Sequence, residues 1–435
     1  MKLQGFMLED PSKKRLRDEM STVIEEIKAR QIFNSRGSPT IEIDVLTIDG
    51  FGRASAPSGA STGRAEAVPF PEGGVKEAIK KVEEVIAPEI IGLYADDQEE
   101  IDTILHEIDG TENFRNIGGN TAYAVSFAVA DAAADSYGLS LYQYLGGSMN
   151  SCLPYPLGNV VGGGKHAFGK ATDIQEFLTI PLGAESFSAA VEANANVHRK
   201  LKSILGKMDS SFTGGKGDEG AWAPNISNDE ALEAVLTACR EVTEELGFEC
   251  RAGIDVAASS LWNPEKGAYV YERDGVERDS GEQIEYILSL IEKYNLVYVE
   301  DPLHEEDFEG FRELTQKSHG CLICGDDLFV TNVKRLQKGI SIHAGNAIII
   351  KMNQVGTLTD TWKATRLAQE NGYVPVVSHR SGETEAYHIA HLAVALSAPI
   401  IKTGVVGGER IAKLNELIRI EDELGDRARM ASLKI

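Results

Sequence analysis

Apolar and polar residues alternate with period two over Ile41-Glu42-Ile43-Asp44-Val45, and Asp49-Gly50 follows with the chemistry of a hairpin turn. A Gly/Ser-rich loop, Pro57 to Gly63, ends this extended region. The period then changes: Val75, Ala78, Ile79, Val82 and Ile86 share one helical face, and an alanine-rich helix is expected from about Thr121 to a stop at Gly138. Strands followed by helices predict an α+β domain over 21–150, preceded by a polar, charged extension, 1–20, and closed near Gly146-Gly147.

From 151 to 435 the rhythm is different. Short apolar runs end in a polar residue, a helical pattern follows, and the cycle repeats. The runs end at Asp255, Glu300, Asp326, Lys351, His379 and Lys402, spaced 45, 26, 25, 28 and 23 residues apart. A strand, a loop and a helix of ordinary length fill about that much chain. Amphipathic stretches such as Thr357 to Gln369 lie between them. Repeated β/α units predict a parallel sheet, and six or more of them favour an α/β barrel over an open doubly wound sheet.

Composition narrows the function. Among 435 residues, 43 are basic and 67 acidic, which argues against nucleic acid and anionic lipid as partners. Five scattered cysteines fit a reducing compartment, and no apolar run approaches the roughly 18 residues of a membrane span. With no apolar leader pattern in the first twenty residues, a soluble, cytoplasmic protein is expected.

Barrel strand ends open on one face, so the six polar residues would converge there. A single Asp after a strand is more often a helix cap, but six in succession, three of them acidic, fit that reading poorly. Asp255, Glu300 and Asp326 offer hard oxygen donors without His or Cys, which favours Mg²⁺ over Zn²⁺. Asp327, in a strand-like run, would point the other way. Lys351 reads either as an ion-pair partner of the acidic cluster or as a general base, its pKa lowered by cationic neighbours such as metal ions and Lys402. His379-Arg380-Ser381 groups an imidazole, a guanidinium suited to phosphate or carboxylate, and a hydroxyl. The loop from Gly214 to Gly220 is acidic and glycine-rich, with a simple turn an equal alternative. Three motifs are set aside. The stretch from Gly164 to Lys170 nearly fits a phosphate loop, but Ala171 stands where Ser or Thr is needed, and no buried strand is expected before it. Cys321 and Cys324 would face opposite sides of a strand, and His388 and His391 are explained by packing.

Specific blocks carry a family resemblance from roughly Val23 to the C-terminus. They include Ser35-Arg36-Gly37-Ser38-Pro39-Thr40, Pro57 to Gly63, Gln175-Glu176-Phe177 and Gly217-Asp218-Glu219-Gly220. Further blocks are Glu300-Asp301-Pro302, Asp326-Asp327-Leu328, Lys351 to Leu358, Ser378 to Glu385 and Lys402-Thr403-Gly404. In this order they resemble the enolase family. The resemblance implies a modified (β/α)8 TIM-type barrel, 151–435, under an α+β capping domain, and dehydration of 2-phosphoglycerate to phosphoenolpyruvate. It implies two Mg²⁺ ions, one held by Asp255, Glu300 and Asp326 and the second through substrate and Ser61 on a moving loop. Lys351 would be the base and Glu219, assisted by Glu176, the acid. A lysine base beside Mg²⁺ is an established pairing in enolase-superfamily sites. Arg380 and Ser381 would hold phosphate, Lys402 the carboxylate, and His166 and His379 would line the site. A homo-oligomer, dimer or octamer, is also implied. Asn34, Lys165, Ala386 and the stretch Gly404 to Arg410 depart from the family pattern and bear on loops and subunit contacts. Another superfamily reaction and a binding role remain as alternatives.

Overall fold

The structure is a computed structural model that describes residues 21–59, 63–167 and 171–433. The extension 1–20 and Ser61 lie outside the described residues. Three antiparallel strands come first: β1 (Ile24–Phe33), β2 (Pro39–Thr47) and β3 (Phe51–Ser55), in that order across the sheet. Ile41, Ile43 and Val45 are fully buried, while Glu42 and Asp44 on the other face pair with Arg30 and Arg53. The expected turn is present, with Thr47 N donating to Gly50 O at 2.9 Å.

The buried face takes the helix Gly119–Ser136, whose alanines allow a close approach. Gly52 is part of that fit, since a Cβ there would stand 2.1 Å from Ala128 O. The earlier helical face is also present, but the α-helix Val75–Lys81 continues through a π-helical turn, Val82–Ile86. Hydrophobic period does not resolve that change of winding.

Eight further strands close a barrel: β4 (Tyr155–Gly162), β5 (Glu176–Pro181), β6 (Cys250–Asp255), β7 (Tyr298–Glu300), β8 (Leu322–Gly325), β9 (Ala347–Ile350), β10 (Val374–Ser378) and β11 (Ile400–Lys402). The runs read as continuously apolar because both faces are buried. Tyr298, Cys324, Ile349, Val376 and Ile400 form one inner cluster, while Val299, Ile323, Ile348, Val377 and Ile401 join the outer core. Cys321 and Cys324 fall in different clusters, as their spacing predicts. Glu300, Asp326, Lys351, Ser378 and Lys402 each follow an inner residue by two positions. Period two therefore aims them along the barrel's interior.

Two expectations are corrected. The sheet is not uniformly parallel, because β5 runs antiparallel to both neighbours. It follows β4 without a crossover helix, and a strand that returns directly must reverse direction. Two helices, Phe187–Met208 and Asn228–Leu246, then precede β6. Reversal puts the first residue of β5, Glu176, beside Asp255 at the mouth. A buried strand also does precede Gly164, since all eight residues of β4 are buried. Its glycines hid it: a Cβ on Gly158 would lie 2.5 Å from Val405 Cγ2. Ala171 still excludes a phosphate loop.

The small domain is fixed on the mouth by polar contacts. Ser55 and Thr384 hydroxyls meet at 2.7 Å, Asn353 Nδ2 donates to Asn120 Oδ1 at 3.0 Å, and Thr359 N donates to Asp102 at 2.9 Å. Two glycines separate packing from propensity. Gly52→Ala is expected to lower stability by about 1–3 kcal/mol through overpacking against Ala128. Gly206, exposed in the helix Phe187–Met208 with nothing near its added Cβ, should gain about 0.5–1 kcal/mol as Ala. Urea-unfolding midpoints of the two variants check both signs.

Candidate active site

Register places the charges. Asp255 pairs with Glu300 on one side and Glu176 on the other, so three carboxylates from adjacent strands share one level. Lys402, the last residue of β11, reaches all of them: Nζ is 2.8 Å from Glu300, 2.9 Å from Asp255 and 3.0 Å from Glu176. Lys351 Nζ bonds Asp326 Oδ2, whose Oδ1 accepts from Gln354 at 2.9 Å. Asp255, Asp326, Lys351, His379 and Lys402 line a single cavity. Glu300, fully buried, is joined to it through Lys402.

Crowding is visible in the proton affinities. Glu300 is pushed up to about 8 by burial and by Asp255 and Asp326, with Lys402 opposing. Burial also raises Asp255 against the pull of Lys402. Asp326 goes the other way: burial would raise it, but Lys351 outweighs that and holds it ionised. The same contact realises the ion-pair reading of Lys351. Burial, Arg380 and Lys402 do act downward, yet the Asp326 carboxylate outweighs them and the ammonium is raised overall.

Asp327 also lines the cavity, contrary to the strand-based expectation. The strand stops at Gly325, and a turn in which Val330 N donates to Asp326 O at 2.7 Å replaces period two. Asp301 builds that turn, its carboxylate accepting from Asp326 N at 2.9 Å and Asp327 N at 2.8 Å. Among the described residues, two groups bring three donor atoms within 4.8 Å of one another: Asp301/Asp326/Asp327 and His166/Glu176/Glu219. Both oxygens of Asp301 are already engaged by amides, so it positions the turn. Asp255, Glu300 and Asp326 fit a hard divalent cation better, because their mutual repulsion, most evident in Glu300, is what such an ion relieves.

A second wall comes from the loop Gly214–Gly220. Glu219 sits there at φ 64°, a left-handed conformation that L side chains rarely adopt. Its flanking glycines permit close backbone contact: a Cβ on Gly217 would lie 2.0 Å from His166 O, and on Gly220 2.4 Å from Val406 O. Glu219 Oε2 accepts from Asn159 at 3.1 Å, and Oε1 is 3.3 Å from His379 Nε2. His166 Nδ1 is 3.1 Å from Glu176 Oε1. Burial would lower His166, but Glu219 and Glu176 outweigh it and hold it at about 9, a buried imidazolium between two carboxylates. Burial would raise Glu219; His379 and His166 hold it well below the carboxylate range.

Arg380 is buried, with Nη1 donating to Asn353 Oδ1 at 2.9 Å and Nη2 to Glu66 at 3.0 Å. Ser381 Oγ, in the same wall, is buried with no hydrogen-bond partner among the described residues. An arginine beside a free hydroxyl is suited to an anion's oxygens. Glu66 had no part in the sequence reading, Gln175 and Asp301 stood in recognised blocks without a role, and Asp327 was weighed but expected to point away.

Two family models cover the chain: the enolase N-terminal domain over residues 24–145 and the enolase C-terminal TIM barrel domain over 150–435. Similar proteins include the enolase of Methanosphaera stadtmanae, 60% identical over 93% of this chain and 98% of its own length. That of Methanothermobacter thermautotrophicus is 58% identical over 95% and 100%, and that of Pyrobaculum aerophilum 51% over 93% and 98%.

Asp301→Asn keeps the shape but loses one acceptor for the turn. Outer partners of this kind typically contribute 10–100-fold to metal affinity, so Mg²⁺ binding measured calorimetrically should weaken by about that factor. Unchanged affinity would mean the turn holds Asp326 without Asp301.

Proposed function

The chain belongs to the enolase family, and on that premise we propose that it catalyses the reversible, Mg²⁺-dependent dehydration of 2-phosphoglycerate to phosphoenolpyruvate in glycolysis and gluconeogenesis. The observation that carries this reading is the meeting of three kinds of group in one cavity: a lysine against a carboxylate cluster, a glutamate–histidine cluster, and an arginine–serine anion wall.

Each group has a task. Lys351 takes the C2 proton as an amine, which requires losing its own proton first. Arg380 and Lys402 push it that way and Asp326 opposes them, so the base is ready only where Asp326's charge is engaged elsewhere. Two Mg²⁺ ions, one with Asp255, Glu300 and Asp326 and one through substrate and Ser61, would supply the positive charge that a carboxylate-derived dianion requires. Glu219 delivers a proton to the departing hydroxide. Its neighbours favour its ionised form, and His166, with Nδ1 3.1 Å from Glu176, is the proton carrier beside it. Arg380 and Ser381 receive the phosphate, Lys402 the carboxylate, and His379 closes the wall beside Glu219.

The phosphate wall disfavours other superfamily reactions, whose acid-sugar or lactone substrates carry no such group. The same reading makes the protein a cytoplasmic homo-oligomer, dimer or octamer, with 21–150 as its capping domain. No helix among the described residues is long and apolar enough to cross a membrane.

Purified protein with 2-phosphoglycerate and Mg²⁺ should generate enol absorbance in the ultraviolet, and excess chelator should abolish it. No product, or product indifferent to chelator, overturns the proposal. Glu219→Gln cannot deliver the proton, and kcat for dehydration should fall by about 10²–10⁴-fold. A loss under tenfold would move the acid role to another residue.

A further inference from the structure

The stretch Gly404 to Arg410 departs from the family pattern, and it ends in a residue that has had no role so far. Arg410 lies in the first turn of the helix Gly408–Leu424 and is fully buried. Its guanidinium donates to Arg380 O at 2.6 Å and to Ser381 O at 2.6 Å, and Nη1 lies 2.8 Å from His379 Nδ1. A guanidinium has five N–H donors, no acceptor, and keeps its charge in proteins. The ring nitrogen facing it can only be the one with the lone pair. His379 then carries its proton on Nε2, and Nε2 is the nitrogen 3.3 Å from Glu219 Oε1.

We propose that Arg410 is a positioning residue that locks His379 in the neutral Nε2–H tautomer, so that His379 offers Glu219 a donor and never accepts its proton. This rests on the reading of Glu219 as the acid. The consequence is directional. With Asn159 donating to one oxygen of Glu219 and Nε2 of His379 facing the other at 3.3 Å, the acid is flanked on one side by groups that do not take its proton. Proton exchange is left to the side of His166 and Glu176.

The charged neighbours of His379 are Glu219, Glu383 and Arg410, the two carboxylates favouring the imidazolium and Arg410 opposing it. Burial, aided by Arg410, prevails and holds the ring at about 4. Glu383 is itself engaged by Lys413 Nζ at 2.8 Å and Arg380 N at 3.0 Å, which limits its pull on the ring. Gly404 ties the stretch to the acid, because a Cβ there would lie 3.0 Å from Glu219 O and 3.4 Å from Arg410 Cγ.

The test is the tautomer itself, read by nitrogen NMR of protein labelled in its histidine rings, with His379 assigned from the signal missing in His379→Gln. The expected result is a protonated Nε2 and a bare Nδ1 that do not titrate between about pH 6 and 8, where an ordinary histidine would. An Nδ1–H ring or an imidazolium in that range overturns the proposal, and neither result depends on turnover. Arg410→Lys keeps a charged donor and should keep the tautomer. Arg410→Met should release it and lower kcat by about tenfold or more while leaving KM nearly unchanged, as expected for a misplaced acid. Arg410→Met with both the tautomer and kcat intact would also sink it. Loss of the dehydratase reading alone would show in the wild-type assay, with the tautomer untouched.

Discussion

One buried ammonium organises this molecule's mouth. Lys402 Nζ touches Glu176, Asp255 and Glu300, and all four side chains are nearly or wholly buried. Charges out of water persist only when paired and hydrogen-bonded, and removing one partner of such a set costs far more than the pair gains. Three carboxylates against one ammonium leave negative charge in excess, and Glu300 registers it at about 8. The barrel supplies the rigidity. Backbone register sets the three carboxylates side by side on adjacent strands, and Lys402 reaches them from the end of β11, so the arrangement does not depend on loops.

From this constraint the rest of the site divides by charge. On one side Asp326 and Lys351 extend the acidic cluster and engage each other. On the other, His166 and His379 flank Glu219 and keep it ionised. Arg380 and Ser381 add a wall fit for an anion inside a chain with 67 acidic and 43 basic residues. Net charge therefore says little about the substrate, because the few cations that matter are aimed inward.

Legibility in the sequence followed physical range. The six residues were legible because a parallel β/α unit repeats at a fixed length: Asp255, Glu300 and Lys402 end their strands, and Asp326, Lys351 and His379 follow theirs by one residue. Glu176 escaped that rule because its strand is reversed, so its first residue faces the site. Glu219 escaped it because its loop joins two helices and lies outside the strand series. Both were reached through the family resemblance. Asp327 was misassigned because period two was carried two residues beyond the strand, into a turn built by Asp301. Glu66 and Arg410 act on Arg380 and His379 from more than 30 residues away in the chain. No local pattern encodes contacts of that length. For Lys351 the ion pair with the acidic cluster was legible, but its particular partner, Asp326, was not.

The central claim is that this convergence exists to let Lys351 remove the C2 proton of 2-phosphoglycerate. It is tested most directly by following exchange of that hydrogen with deuterated water. In a Glu219→Gln background, where dehydration is blocked, exchange should continue, and adding Lys351→Ala should abolish it. Exchange that survives the loss of Lys351 would contradict the role of the lysine and with it the purpose assigned to the cluster around it.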